Sequence, residues 1–170
     1  QKYAELAVKW YTQAANQGLS EAQEMLGQYC QSGLLGLEID ARKAFEWRQK
    51  AALQGYILAQ CNLGRHYENG VGTAKDLDRA FLWYQKAANQ GDSNAQCVLA
   101  WCFQKGIGIQ KSNIRAVEWY RKAANQGSSC AQYNLAWCLQ NGASTAREER
   151  EAIKWYRKAA NQENPQAQYN

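Results

Sequence analysis

Apolar and polar residues alternate along this chain in two helix-like rhythms that follow each other from one end to the other. Ala80, Trp83, Tyr84 and Ala87 stand at i, i+3, i+4 and i+7, one face of an α-helix. Ala44, Trp47 and Ala51 draw the same face, as do Ala116, Trp119, Tyr120 and Ala123, and again Ala152, Trp155, Tyr156 and Ala159. A second helical segment precedes each of these; Ala59 to Asn69 is one, and it runs into a Gly-Val-Gly turn at Gly70 to Gly72. Asp40, Asp76 and Ser112 lie four residues before the leading alanine, where an N-cap belongs. Gly18, Gly55, Gly91 and Gly127, each after a glutamine, supply left-handed helix stops. The pattern predicts a repeated unit of helix A, turn, helix B, turn.

The unit has a fixed period. Ala-Gln begins at Ala22, Ala59, Ala95, Ala131 and Ala167, spacings of 37, 36, 36 and 36 residues. The one extra residue falls between Gly33 and Gly36, in a turn, where insertions are tolerated. A lone helical hairpin cannot bury its apolar face, whereas stacked hairpins share one continuous core. The expected fold is therefore all-α, a solenoid of stacked helix-turn-helix repeats with a period of about 36 residues. It is expected to form a single array over 1–170: a helix B at 1–18, repeats at 19–55, 56–91, 92–127 and 128–163, and the start of another at 164–170.

The run Ala-Gln-x-x-Leu-Gly, Gly-x-Gly, Lys/Arg-Ala-x-x-Trp-Tyr-x-Lys-Ala-Ala-x-Gln-Gly resembles the Sel-one-like repeat, a relative of the tetratricopeptide repeat, over residues 4–169. The resemblance implies a right-handed α/α superhelix that serves as an interaction scaffold, with helices A along its concave side. Some members of that family are adaptors in protein quality control, and bacterial ones are linked to signalling or host contact. Three residues depart from the pattern: Arg48 stands for the framework tyrosine, Ser144 for the second turn glycine and Glu163 for the stop glycine. No polar capping helix is visible at either end, so end-to-end association is a further expectation. Gln1 in place of a methionine reads as a fragment or a processed chain.

Composition narrows the function classes. At 46% hydrophobic and 21% charged residues the chain can bury a core, and no run nears the roughly 20 apolar residues of a membrane span. The net charge of +5 raises the question of nucleic acid. However, Lys50, Lys86, Arg121, Lys122, Arg157 and Lys158 are spread over equivalent helix positions, which reads as a solvated outer face. All six cysteines, Cys30, Cys61, Cys97, Cys102, Cys130 and Cys138, fall on helices A. The cysteine-rich relatives bridge the two helices of a repeat, a pairing impossible here. Equivalent positions on neighbouring helices (Cys61 with Cys97, Cys102 with Cys138) are separated by an axis spacing of about 8–10 Å, beyond the roughly 7 Å Cα limit of a disulfide. Free thiols are expected, which favours a reducing compartment. His66 is the only histidine and is expected on a helix flank as a hydrogen-bonded surface residue. Neither a zinc site, a cofactor loop nor a catalytic constellation is readable, so the reading is non-enzymatic.

A candidate surface follows from helical geometry. With the Ala-Gln alanine as position 1, positions 1, 5 and 9 form the core face, and at about 100° per residue positions 3, 7 and 10 point away from it. Position 7 reads Gln28, Arg65, Trp101, Trp137; position 3 reads Glu24, Cys61, Cys97, Tyr133; position 10 reads Gln31, Glu68, Gln104, Gln140. Asn62 and Asn134 flank the row. Tryptophan, tyrosine and arginine are enriched at binding hot spots. The expected contacts to a protein or peptide partner are Glu24, Gln28, Asn62, Arg65, Cys97, Trp101, Gln104, Tyr133, Asn134, Trp137 and Gln140. Alternatively, Trp101 and Trp137 stack on one another as filling. An RNA-binding helical repeat, and a bacterial effector or immunity protein on the same scaffold, are competing readings. The RNA reading needs aromatics beside Lys or Arg in every repeat, and only part of the row fits.

Overall fold

The computed structural model describes residues 2–142 and 146–162, and every regular element among them is helical. In chain order these are α1 (Lys2–Asn16), α2 (Ser20–Ser32), a 3-10 turn (Leu34–Gly36), α3 (Ala41–Leu53), α4 (Ile57–Asn69), α5 (Leu77–Asn89), α6 (Ser93–Lys105), α7 (Asn113–Asn125), α8 (Ser129–Gly142) and α9 (Ala146–Ala160). Helices α2, α4, α6 and α8 are the expected helices A, and the others are helices B. Ser144, Glu163 and the Ala167 repeat start lie outside the described residues.

The chain divides into two compact units, 1–87 and 88–170. In the first, α2 packs between α1 and α3, and α3 against α4. In the second, α7 packs between α6 and α8, and α8 against α9. Positions 1, 5 and 9 are buried in both: Ala59, Leu63 and Tyr67 in one, Ala95, Leu99 and Phe103 in the other. The helix B face meets them through Ala44, Ala51, Ala80, Tyr84 and Ala87, and through Ala116, Tyr120, Ala123, Ala152, Tyr156 and Ala159.

Position 6 explains how closely helices A and B approach. A Cβ on Gly64 would lie 2.5 Å from the Tyr84 ring, and one on Gly27 would lie 2.8 Å from the Arg48 stem. Ala100 and Ala136 hold this position in the second unit, fully buried. Each framework tyrosine then reaches position 10 of its own helix A. Tyr84 donates to Glu68 at 2.7 Å, Tyr120 to Gln104 at 3.0 Å and Tyr156 to Gln140 at 2.9 Å. A buried phenol thus finds the partner it needs.

The glutamine of Ala-Gln is buried as well, and it closes the preceding helix B. Gln23, Gln60 and Gln132 donate side-chain amides to the carbonyls of Ala15, Ala52 and Ala124 at 3.0, 3.1 and 3.3 Å. Gln54, Gln126 and Gln162, the glutamines at the helix B ends, in turn donate to Gln23, Gln96 and Gln132 at 2.8, 2.8 and 3.0 Å. The carbonyls of Ala15, Ala52 and Ala124 also accept the N–H of Gly18, Gly55 and Gly127 at 3.0–3.1 Å, so the glutamine adds a second bond to each and ties the helix B end to the next helix A.

The caps form where the sequence puts them. Asp40 and Asp76 accept from the backbone N–H of Lys43 and Arg79 at 2.9 Å, and Ser112 accepts from that of Arg115 at 3.3 Å. The same three residues donate their own N–H to the position 9 carbonyls of Cys30, Tyr67 and Phe103, each at 2.8 Å, which closes the A–B hairpin. The inserted residue in the first hairpin is absorbed by the 3-10 turn, where Leu35 takes a left-handed φ of 58°.

Gly72 shows how tightly such a turn is seated: its φ is +72°, and a Cβ there would fall 2.1 Å from the Ala41 carbonyl oxygen. Gly36, at φ +78°, faces open space. Gly36→Ala is therefore expected to lose about 1–2 kcal/mol, the left-handed penalty alone, and Gly72→Ala clearly more. Urea unfolding of both variants beside the wild type checks the order.

Candidate binding surface on helices A

In the first unit, the residues expected on the outer face split into two levels. Gln28 and Arg65, both at position 7, are exposed, and Asn62 is half-buried. Glu24 is not on that face. It is 3% exposed and forms an ion pair with Arg48, whose Nε donates to its Oε1 at 3.0 Å. The Asn62 amide donates to the same oxygen at 2.8 Å. Position 3 is turned inward because helix A has a neighbour on each side, so its buried arc is wider than positions 1, 5 and 9.

Arg48 is the hub of this arrangement. It replaces the framework tyrosine, is 5% exposed, and donates to Gln31, the position 10 residue that a tyrosine would have met. Its Nη1 also lies 2.9 Å from His66 Nε2. A guanidinium only donates, so His66 Nε2 must accept and the ring proton sits on Nδ1, which donates to the Val71 carbonyl at 2.6 Å. His66 is 3% exposed, which corrects the expectation of a surface residue. Burial, then the Arg48 and Arg65 charges, hold it below the ordinary histidine range against the Val71 bond. Burial pushes the Glu24 carboxyl up, opposed by Arg48 and Asn62. A cavity of about 310 Å³ opens above this network, with Gln28, Asn62, Arg65 and Asn69 among its walls.

In the second unit, Trp101 on α6 and Trp137 on α8 are 37% and 43% exposed. Gln140 is exposed, while Gln104, Tyr133 and Asn134 are half-buried. Gln104 donates its amide to Cys138 Sγ at 3.4 Å while accepting from Tyr120. Tyr133 packs edge-on against Tyr156, ring centroids 5.6 Å apart. Cys97 leaves the expected surface: it is 8% exposed, with its sulfur 3.3 Å from Cys130 Sγ. Asn134 donates to Cys130 Sγ at 3.4 Å. All six cysteines are free thiols. Cys97 and Cys130 do not hold equivalent positions: they are offset by three along neighbouring helices, and that diagonal brings their sulfurs together.

The lysines of helices B sit elsewhere. Lys50, Lys86, Lys122 and Lys158 lie 4.0–4.3 Å over the rings of Trp47, Trp83, Trp119 and Trp155 on their own helices B. Arg121 pairs with Glu151. Among the described residues, no group of His, Cys, Asp and Glu is arranged to hold a metal ion, and no helix is long and apolar enough to cross a membrane.

Two predictions come from the Arg48 network. Arg48→Met strands a buried carboxylate and is expected to cost about 3 kcal/mol, part of which Glu24→Gln restores in the double variant; urea unfolding reads both. The pH profile carries the second. The unfolded chain takes up a proton at His66 below pH 6.5 and the folded chain resists it, so this group makes stability fall as pH drops through that value. Glu24 acts in the opposite sense. Its folded form keeps the proton longer, so its penalty fades as pH falls toward 4.5. His66→Gln is expected to flatten the decline below pH 6.5, measured as unfolding free energy against pH.

The sequence and the fold have close counterparts. A family model described as Sel1 repeat matches residues 4–19, 20–56, 57–92, 93–128 and 131–164. The crystal structure of a Sel1 repeat protein from Oxalobacter formigenes is 33% identical with a TM-score of 0.86, over 96% of this chain and 64% of that one. The crystal structure of a protective antigen of uropathogenic Escherichia coli, displaying an SLR fold, is 36% identical with a TM-score of 0.85, over 95% of this chain and 34% of the antigen. A chitin synthase regulator of Saccharomyces cerevisiae is 43% identical over 77 residues, which is 43% of this chain and 11% of the regulator. The chain thus spans about a tenth of the yeast regulator and a third of the antigen. Its fold is the all-α solenoid of stacked helical hairpins that these structures share, and the chain belongs to the Sel1 repeat family.

Proposed function

We propose that this chain is a non-catalytic scaffold that binds a protein or peptide through the exposed faces of its helices A. The observation that carries the reading is the exposure of Trp101 and Trp137 on helices whose opposite faces are fully used by the core. Large aromatic rings held on rigid helices lose little entropy on binding, and they dominate measured interface energies. Gln140 and Asn134 beside Trp137, and Gln28, Asn62 and Arg65 in the first unit, supply hydrogen bonds for a backbone or polar side chains. Glu24 and Cys97 act beneath this surface and not in it.

The yeast relative adds direction, since its name is that of an enzyme regulator. A module that engages an enzyme and catalyses nothing itself fits a Sel1 array. Nucleic acid is the second reading: the helix B lysines lie over their own tryptophans, whereas Lys105 and Lys111 line one cavity of about 480 Å³ with Trp137. Exposed Tyr3, Leu6 and Trp10 on α1 favour self-association as a second contact.

The test is selection of displayed peptides on the wild-type chain, followed by titration against a Trp101→Ala, Trp137→Ala double variant whose helicity is checked by circular dichroism. Loss of about 2 kcal/mol or more, roughly 30-fold in Kd, is expected in a folded variant. Unchanged affinity moves the site off helices A. Loss of helicity makes the tryptophans packing residues.

A further inference from the structure

Cys97 and Cys130 stand apart from the other thiols in four ways. Their sulfurs are 3.3 Å apart, across two neighbouring helices A, α6 and α8. Cys130 is exposed and Cys97 is buried, so an incoming reagent meets one sulfur first and the other lies directly behind it. Cys130 lies in the first turn of α8, where the helix dipole favours a thiolate. Two donors face its sulfur, the Cys97 thiol and the Asn134 amide. Those hydrogen bonds, the first the larger, outweigh burial and bring the Cys130 thiol down to about 7. The same contact, together with burial, drives Cys97 up, so it stays the protonated donor of the pair.

We propose that Cys130 is a hydroperoxide-reactive modification site and that Cys97 is its resolving thiol, closing a disulfide that staples α6 to α8. In the first step the Cys130 thiolate attacks one peroxide oxygen. The O–O bond breaks, the leaving oxygen departs as water after taking a proton, and Cys130 becomes a sulfenic acid. In the second step the Cys97 sulfur attacks the Cys130 sulfur. The S–O bond breaks, the hydroxyl leaves with the Cys97 proton as a second water, and the S–S bond forms. Two thiols give up two electrons, and one hydroperoxide is reduced. The bond requires the sulfurs to close from 3.3 Å to about 2.05 Å.

The inference is independent of the partner reading, since it concerns chemistry of the free chain. Its physical consequence is local. A covalent link between consecutive helices A fixes their spacing, and an S–S bond holds it only while the surroundings remain oxidising.

The experiment treats the wild-type chain with hydrogen peroxide, blocks remaining thiols, and maps the digest by mass spectrometry. The expected product is a Cys97–Cys130 cross-linked peptide with the loss of two hydrogens. Thiols titratable in denaturant fall from six to four. Dithiothreitol restores them, and the cross-link yield is independent of protein concentration. In Cys97→Ser the sulfenic acid at Cys130 persists and is trapped by dimedone; in Cys130→Ser no cross-link forms and Cys97 stays reduced. Circular dichroism checks the serine variants, and the wild-type map stands without them. A cross-link between other cysteines, or passage of wild-type Cys130 to sulfinic acid with Cys97 still reduced, overturns the proposal. So does dimedone labelling of Cys97 in Cys130→Ser.

Discussion

The stack depends on one buried side chain per repeat, the glutamine that follows the leading alanine. At the helix B ends the carbonyls of Ala15, Ala52 and Ala124 accept the N–H of Gly18, Gly55 and Gly127, and each oxygen keeps a second acceptor site. Gln23, Gln60 and Gln132 meet those carbonyls from the next helix A, and Gln54, Gln126 and Gln162 hold the glutamines in place. The ends of α1, α3 and α7 are therefore each tied to the helix A that follows. A single hairpin lacks both the apolar cover and this polar closure, which gives physical content to the nearest-neighbour character of repeat arrays.

Where the framework changes, the change is matched across helices. A tyrosine at the helix B position fits over a small position 6 and needs one acceptor, supplied at position 10. Arg48 uses the same slot and the same acceptor, Gln31, but brings a charge that must be balanced. Glu24 supplies the balance from position 3, and His66 accepts as a neutral ring. A buried ion pair adds little net stability over an apolar pair. It does make the three residues interdependent, so none can change alone without stranding another.

The framework was legible in the sequence because its signals are local. Caps at Asp40, Asp76 and Ser112, stops at Gly55 and Gly127, and the apolar faces all depend on residues within a turn or two of each other. What was missed depends on contacts between helices. The burial of Glu24 was written as the co-occurrence of Arg48 and Glu24 in one repeat with the single histidine in the next, a signal that a comparison of repeats could have caught. The approach of Cys97 to Cys130 does not show at equivalent positions, because neighbouring helices also meet on the diagonal.

Variation between the repeats of this one chain then has two meanings, and burial separates them. Position 3 varies as Glu24, Cys61, Cys97 and Tyr133, and three of these answer a change inside the protein: Glu24 to Arg48, Cys97 to Cys130, Tyr133 to Tyr156. Position 7 varies as Gln28, Arg65, Trp101 and Trp137, and each keeps its end in solvent. A helix A has few such positions to give. Its alanine, glutamine, leucine and small residue at positions 1, 2, 5 and 6, and the cysteine, aromatic or leucine at position 9, are committed to the core, and position 10 to the helix B side chain. Position 7 is where a repeat can change without disturbing its neighbours. A recognition surface built on this framework is written there first, with two tryptophans in the second unit and Gln28 and Arg65 in the first.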